Sequence, residues 1–286
     1  MNAKPPVTPA RWEALRRYTD ARIALGRAGH SLPTAAHLDF QLAHALARDA
    51  VHLPLDADGV AASLRELGLD TLLLRSAAAD RTTYLQRPDL GRCLDDRSRR
   101  TLATWREKRG WGASQAEAAR FDVAFVVADG LSALAVHTNA VALVSATLAR
   151  LRRDAAQAWR VAPLAVVEQG RVAVGDDIGE GLRANTVVVL IGERPGLSSP
   201  DSLGIYLTWA PKVGLTDASR NCISNVRPAG LSIEAAAAKL HQLLAQSRAR
   251  QLSGVGLKDE TDDLAGSMAN GGAGNFLLAP PESGGC

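Results

Sequence analysis

Aromatic side chains are scarce in this chain of 286 residues, with Phe, Trp and Tyr together at 4%. Its core must therefore rest on Leu, Val, Ile and Ala. The three cysteines, Cys93, Cys222 and Cys286, are odd in number and far apart, which argues against a disulfide framework and for a reducing compartment. No apolar run approaches the ~20 residues of a membrane span, and the start, Met1-Asn-Ala-Lys-Pro-Pro, lacks the apolar segment of a secretory signal. The expected location is the cytoplasm, with no membrane. A large excess of charge of one sign is also missing. A net charge of +3 without a basic stripe interleaved with aromatics gives no expectation of nucleic-acid binding. The Arg-rich runs 97–100 and 150–153 read as solvated helix faces.

The common nucleotide signatures are absent too. No Gly-x-Gly-x-x-Gly follows an apolar run, and no Gly-x-x-x-x-Gly-Lys-Ser/Thr occurs. Ser253-Gly-Val-Gly-Leu-Lys258 is glycine-rich but follows a helical pattern rather than a strand. His30, His37, His44 and His52 have few acidic or thiol companions at ligand spacing, so no metal site is expected. Cys222 has no base that the sequence can assign to it, and Asp176 and Asp177 read as first-turn residues favoured by the helix dipole. No catalytic residue is identified.

What the chain does contain changes character near its middle. Residues 1–9 are proline-rich and read as a loose arm. A helix is expected over 9–23 with Thr8 as cap, and a second after Thr34, where Leu38, Leu42 and Leu46 recur every four residues until Pro54. Leu64 to Leu74 suggests a short helix and an extended piece, 84–92 a loop, and the stretch to Lys108 a polar helix. Residues 1–115 thus form a smaller, mostly helical N-terminal region.

From there strand and helix alternate. Asp122 to Ala128 is a buried-strand pattern, followed by Asp-Gly, a capping Ser132 and a long helix to about Arg152. Val161–Val167, Val187–Ile191 and Ile205–Trp209 read as further strands, Asp176–Leu182 and Leu231–Arg250 as helices, and Cys222 falls in a polar loop before the last helix. Such alternation implies an α/β domain over 116–262, a parallel sheet with helices on both faces. After Asp263 the composition collapses to Gly, Ala, Asn, Ser and Pro, the pattern of a disordered tail over 263–286. The loops at Asp129, Glu168, Glu193 and Cys222 are expected at one sheet edge, where open α/β sheets bind ligands. Glu193 and Arg194 are the charges carried there by Gly-Glu-Arg-Pro-Gly196.

Several motifs then stand out together. Thr19-Asp-Ala-Arg-Ile-Ala-Leu-Gly-Arg-Ala-Gly29, Tyr84-Leu-Gln-Arg-Pro-Asp-Leu-Gly-Arg92 and Val126-Val-Ala-Asp-Gly-Leu-Ser132 come first. Gln169-Gly-Arg-Val172, Ile191-Gly-Glu-Arg-Pro-Gly-Leu197, Asn221-Cys-Ile-Ser-Asn225 and Ser253-Gly-Val-Gly256 follow in order. Over about residues 10–260 the chain resembles the small (light) subunit family of ethanolamine ammonia-lyase. The resemblance implies a helical N-terminal part and a Rossmann-like domain paired with a large (heavy) barrel subunit in a hetero-oligomer. It implies adenosylcobalamin between the two subunits, ethanolamine held by the large one, and radical conversion to acetaldehyde and ammonia. The family's cobalamin contacts carry over to Val172, Glu193 and Cys222. No Asp-x-His occurs, so the cofactor's own dimethylbenzimidazole is expected to stay on cobalt. Some family members carry a longer N-terminal extension linked to bacterial microcompartments. This chain begins almost at the shared region, which sets that location in question, and its Gly-rich tail lies outside the shared pattern. Two other classes stand beside this reading: a binding or scaffold protein of the same fold without cofactor, and a nucleotide-dependent transferase using the same sheet edge.

Overall fold

The computed structural model describes residues 6–109 and 121–257. The expected boundary at 115/116, the first five residues of the arm and the 263–286 tail lie outside them.

The centre of the molecule is strand β2 (Phe121–Ala128), every residue of which after Phe121 is buried. Its side chains alternate between two cores. Val123, Phe125 and Val127 pack on one face, and Ala124, Val126 and Ala128 on the other. A strand covered on both faces reads as a continuous apolar run rather than an alternating one. Replacing Phe125 would cost about 3–5 kcal/mol in lost burial and cavity.

Around β2 lie β1 (Thr71–Arg75), β3 (Leu164–Glu168), β4 (Ala184–Gly192), β5 (Leu203–Trp209) and β6 (Arg220–Val226), in the order β1-β3-β2-β4-β5-β6. The first four are parallel, whereas β5 and β6 run antiparallel. The protein is of the α/β class with a mixed sheet, which corrects the all-parallel expectation. The links from β4 to β5 and from β5 to β6 contain no crossover helix, and short links can only reverse the chain. The extended piece near Leu72 is β1, so the N-terminal part supplies the sheet with an edge strand.

One face carries α2 (Ala57–Arg65), α5 (Ala133–Arg153) and α7 (Ile233–Arg250); the other carries α4 (Asp96–Lys108) and α6 (Val174–Gly181). Helices on both faces were expected. Ser132 and Ser232 cap α5 and α7 by accepting from Ala135 N at 3.2 Å and Ala235 N at 3.3 Å. By length and composition α5 would suffice to cross a membrane, against the sequence expectation, but here its apolar stripe is buried in the core.

The N-terminal elements depart further. The helix expected over 9–23 is a 3-10 helix, Glu13–Tyr18. Its residues bury no side chain, so a longer α-helix has nothing to pack on. Thr8 and Arg27 exchange backbone hydrogen bonds of 2.8 and 3.0 Å, tying residues 6–9 back to the chain. Helix α1 (Thr34–His52) forms as expected, with Pro33 rather than Thr34 at the cap. Part of the 84–92 loop is helical, in α3 (Arg81–Gln86) and a 3-10 turn, Leu90–Arg92.

Candidate functional site

The chain leaves β2 for β3 on one side and β4 for β5 on the other, so the strand order reverses between β2 and β4. Such a switch point opens a crevice outside the strands' carboxyl ends. Here two glycines set its width. A Cβ on Gly130 (φ +56°) would fall 2.3 Å from Gly192 O, and one on Gly192 would fall 2.0 Å from Ser132 O. The two loops are locked by Leu131 N donating to Gly192 O at 2.9 Å and by Ser132 Oγ donating to Pro200 O at 2.7 Å.

The loop after β3 is held just as closely. Gln169 adopts φ +54°, and Gly170 N donates to the Asp129 carboxylate at 3.0 Å. Asp129 is 2% exposed, and burial pushes its carboxyl up to about 6, although the Gln169 and Gly170 amides and Arg81, 3.6 Å away, pull it down. Beneath the loop lies Tyr84, 1% exposed, its ring between the guanidinium of Arg81 at 4.7 Å and that of Arg171 at 4.6 Å. Arg171 also donates to Tyr84 O at 3.1 Å, while Arg81 donates to Gly130 O at 2.8 Å and to Val51 O, in the last turn of α1, at 2.7 Å. Burial and the charge of Asp129 raise the Tyr84 phenol to about 12. The Tyr84–Arg92 motif is therefore a buttress for the loop that carries Arg171 and Val172.

An open cavity of about 440 Å³ results, with Leu131, Val172, Ile191, Glu193, Arg194 and Tyr206 on its walls. Of the three expected site residues, Val172 and Glu193 line it. The Glu193 carboxylate accepts from Ser202 Oγ and, at 3.3 Å, from Asn225 N, so it ties the loop after β4 to the end of β6. It is not paired with Arg194. Cys222 is not in a loop, as expected, but mid-way along β6, directly opposite Tyr206. Arg220, Ile223 and Val226 of this strand are buried while Cys222 is exposed. Its polar sequence concealed an edge strand with one face in the core. Neighbouring protein still shields the thiol enough to raise its pKa: burial acts first, the Glu193 charge adds to it, and a hydrogen bond with Tyr206 opposes it. A thiol so poised is not a ready nucleophile. It meets the cavity only through Tyr206, whose own hydroxyl is raised by burial and by Cys222.

Two other assignments change. Asp176, read as a helix-dipole residue, forms a bidentate pair with Arg220 at 2.7 Å for both bonds, with both side chains 2% exposed. Asp177 accepts from Leu94 N at 3.0 Å and from Arg99. Sequence reasoning missed Tyr206, Leu131 and Arg171 as wall residues; only Arg171 carried a signal, its place beside Val172 in the Gln169-Gly-Arg-Val172 motif. Larger open cavities of about 710 and 670 Å³ lie around the C-terminal end of α5. They are away from the strands' carboxyl ends and include none of the expected residues. None of the six histidines lines the cavity at the switch point.

Fold and site define an α/β protein with an open crevice at the switch point of its sheet. The profile of the ethanolamine ammonia-lyase light chain matches residues 9–258. The chain is 58% identical to the ethanolamine ammonia-lyase small subunit of Azotobacter vinelandii over 97% of its length and 99% of that protein's. It is 56% identical to the protein of that name from Pseudomonas fluorescens Pf-5 (95% and 96%) and 57% to that from Ralstonia nicotianae (95% and 96%). The chain belongs to the ethanolamine ammonia-lyase light-chain family, the smaller subunit of an ammonia-lyase.

Proposed function

We propose that this subunit forms one wall of an adenosylcobalamin site and that the large subunit of the same enzyme forms the other. The observation that carries the reading is the crevice at the β2/β4 switch point, with Val172 and Glu193 on its walls and Cys222 behind Tyr206. Its parallel half, with the strand-order reversal at the crevice, supports a Rossmann-like description.

The residues fit the group. A corrin has broad apolar faces and a fringe of amide arms. Leu131, Val172, Ile191 and Tyr206 offer an apolar surface, and the Glu193 carboxylate offers a hydrogen-bond acceptor to the amide arms. The cavity is far smaller than the whole cofactor, so a second protein surface has to cover the remainder. When bound, adenosylcobalamin supplies the radical chemistry that converts ethanolamine, held by the large subunit, to acetaldehyde and ammonia. This chain binds, orients and excludes water. Val172 gives apolar contact, the Glu193 carboxylate accepts from an amide N–H, and the Cys222–Tyr206 pair shapes the wall beside them.

Titrating the assembled two-subunit complex with cobalamin, followed by absorbance, tests the reading. A hydrogen bond to a charged group contributes about 1.5–3 kcal/mol, so Glu193→Ala should weaken binding about 10- to 150-fold. Unchanged affinity with weaker subunit association would rule out the cofactor role of Glu193 and make it an interface residue; a complex that binds no cobalamin would favour a scaffold role. The small subunit alone, supplied with adenosylcobalamin, should release no acetaldehyde.

A further inference from the structure

The charges around the cavity do not balance. Both carboxylates are engaged: Asp129 lies buried behind Gly130 and beside Arg81, and Glu193 is turned to Ser202 and Asn225. The arginines are less occupied. Arg194 is exposed on the rim and has no hydrogen-bond or ion-pair partner among the described residues. It stands beside Pro195, in a loop held down by Arg22 donating to Leu197 O at 3.4 Å and Arg227 donating to Ser198 O at 3.2 Å. Across the cavity, Arg171 is stacked on Tyr84 with one guanidinium nitrogen committed to Tyr84 O, and its buried Nε has no acceptor. Two guanidinium groups thus face one cavity, positioned by stacking, a proline and anchored backbone rather than by acidic partners. Guanidinium is planar, permanently charged and matched to the oxygens of phosphate.

We propose that Arg194, with Arg171 across from it, forms a subsite for a phosphodiester anion at the mouth of the cavity. The inference rests on the cobalamin reading and sharpens it. Cobalamin's amide arms are neutral, and its nucleotide arm carries a phosphodiester, so that arm is the part of the ligand the subsite takes. Free phosphate has the same chemistry and is the other source the test has to separate.

The experiment compares two corrins on the assembled two-subunit complex by absorbance titration: cyanocobalamin, and dicyanocobinamide, which lacks the nucleotide arm. Arg194→Gln should raise the cyanocobalamin Kd about 10- to 150-fold, the range of a charge-assisted hydrogen bond, and leave the cobinamide Kd unchanged. Arg194→Lys should recover part of the loss, since it keeps the charge without the fork. Inorganic phosphate at millimolar concentration should compete with cyanocobalamin and not with cobinamide. Equal weakening of both corrins by Arg194→Gln, no weakening of either, or phosphate competition against both overturns the subsite while leaving the cofactor site standing. A wild-type complex that binds neither corrin overturns the cofactor reading and the subsite with it.

Discussion

Asp129 shows how a single side chain joins stability to site geometry. Its native carboxyl titrates near 6, above its ordinary value of 3.8, because burial penalises the charge. The native state therefore holds a proton that the unfolded chain has already released between about pH 4 and pH 6. Its contribution is fully present below pH 4 and is lost as pH rises through 6, a loss on the order of 3 kcal/mol at most. Asn at this position can still accept from Gly170 N but does not titrate. Asp129→Asn should flatten the stability profile between pH 4 and pH 6, as measured by urea unfolding followed by circular dichroism. An unchanged slope would mean that Asp129 is already ionised at pH 4. Cys222 gives a milder expectation. Its thiol is raised and faces Tyr206, so Cys222→Ala removes a small contact: turnover of the complex should persist, with cobalamin binding weakened only modestly. Abolished turnover with cofactor still bound would give the sulfur a chemical role.

Among the elements, β6 and α6 decide how the site keeps its shape. Arg220 lies two residues before Cys222, and Asp176 four residues after Val172, so their buried pair straps one wall of the site to the other. Arg220→Met removes one buried partner and leaves Asp176 charged and unpaired. The expected cost is about 3–5 kcal/mol in thermal or urea unfolding. The double replacement Asp176→Leu with Arg220→Met should recover most of it, and equal losses in both would mean that the pair adds packing rather than charge compensation. The same elements show where sequence reasoning ran out. Continuous apolar runs announced β2 and β4 because both of their faces are covered. The antiparallel turn of β5 and β6 was legible in principle, since neither link has a helical pattern, but strand–helix alternation upstream outweighed it. In β6 the buried positions Arg220, Ile223 and Val226 are interleaved with Asn, Cys and Ser, a pattern shared with polar loops. Glu193 was placed at the sheet edge by the strand that ends before it, and Val172 only by the family resemblance. Their meeting in one cavity, and Tyr206 between Glu193 and Cys222, needed the sheet register.

At the scale of the whole molecule, the N-terminal part leaves a face uncovered. Leu38, Leu42 and Leu46 form one stripe on α1, each more than half exposed at 56, 59 and 53%. Contiguous apolar surface of this kind marks an interaction site. Because Arg81 ties the last turn of α1 to the backbone of the cavity wall, a large subunit that closes the cavity also comes within reach of this helix. Leu38→Glu with Leu42→Glu should leave helix content intact and weaken association with the large subunit at least about tenfold, since desolvating two charges against an apolar surface costs several kcal/mol. Sedimentation of mixed subunits measures it, and undiminished complex formation would place the partner on another face.

The edge strand β1 also sets a timetable for the ribosome. Its sheet neighbour, β3, lies about ninety residues further along the chain. At synthesis rates of about 5–20 residues per second, β1 waits roughly 5–20 s before its partner has even been made. Its apolar Thr-Leu-Leu-Leu-Arg sequence has no sheet to join in that interval, and α2 and α4 pack on it from the chain already made. The nascent chain thus passes through a window in which its first strand is shielded by helices alone. Helices α2 and α4 would then cover the strand while the rest of the sheet is being made.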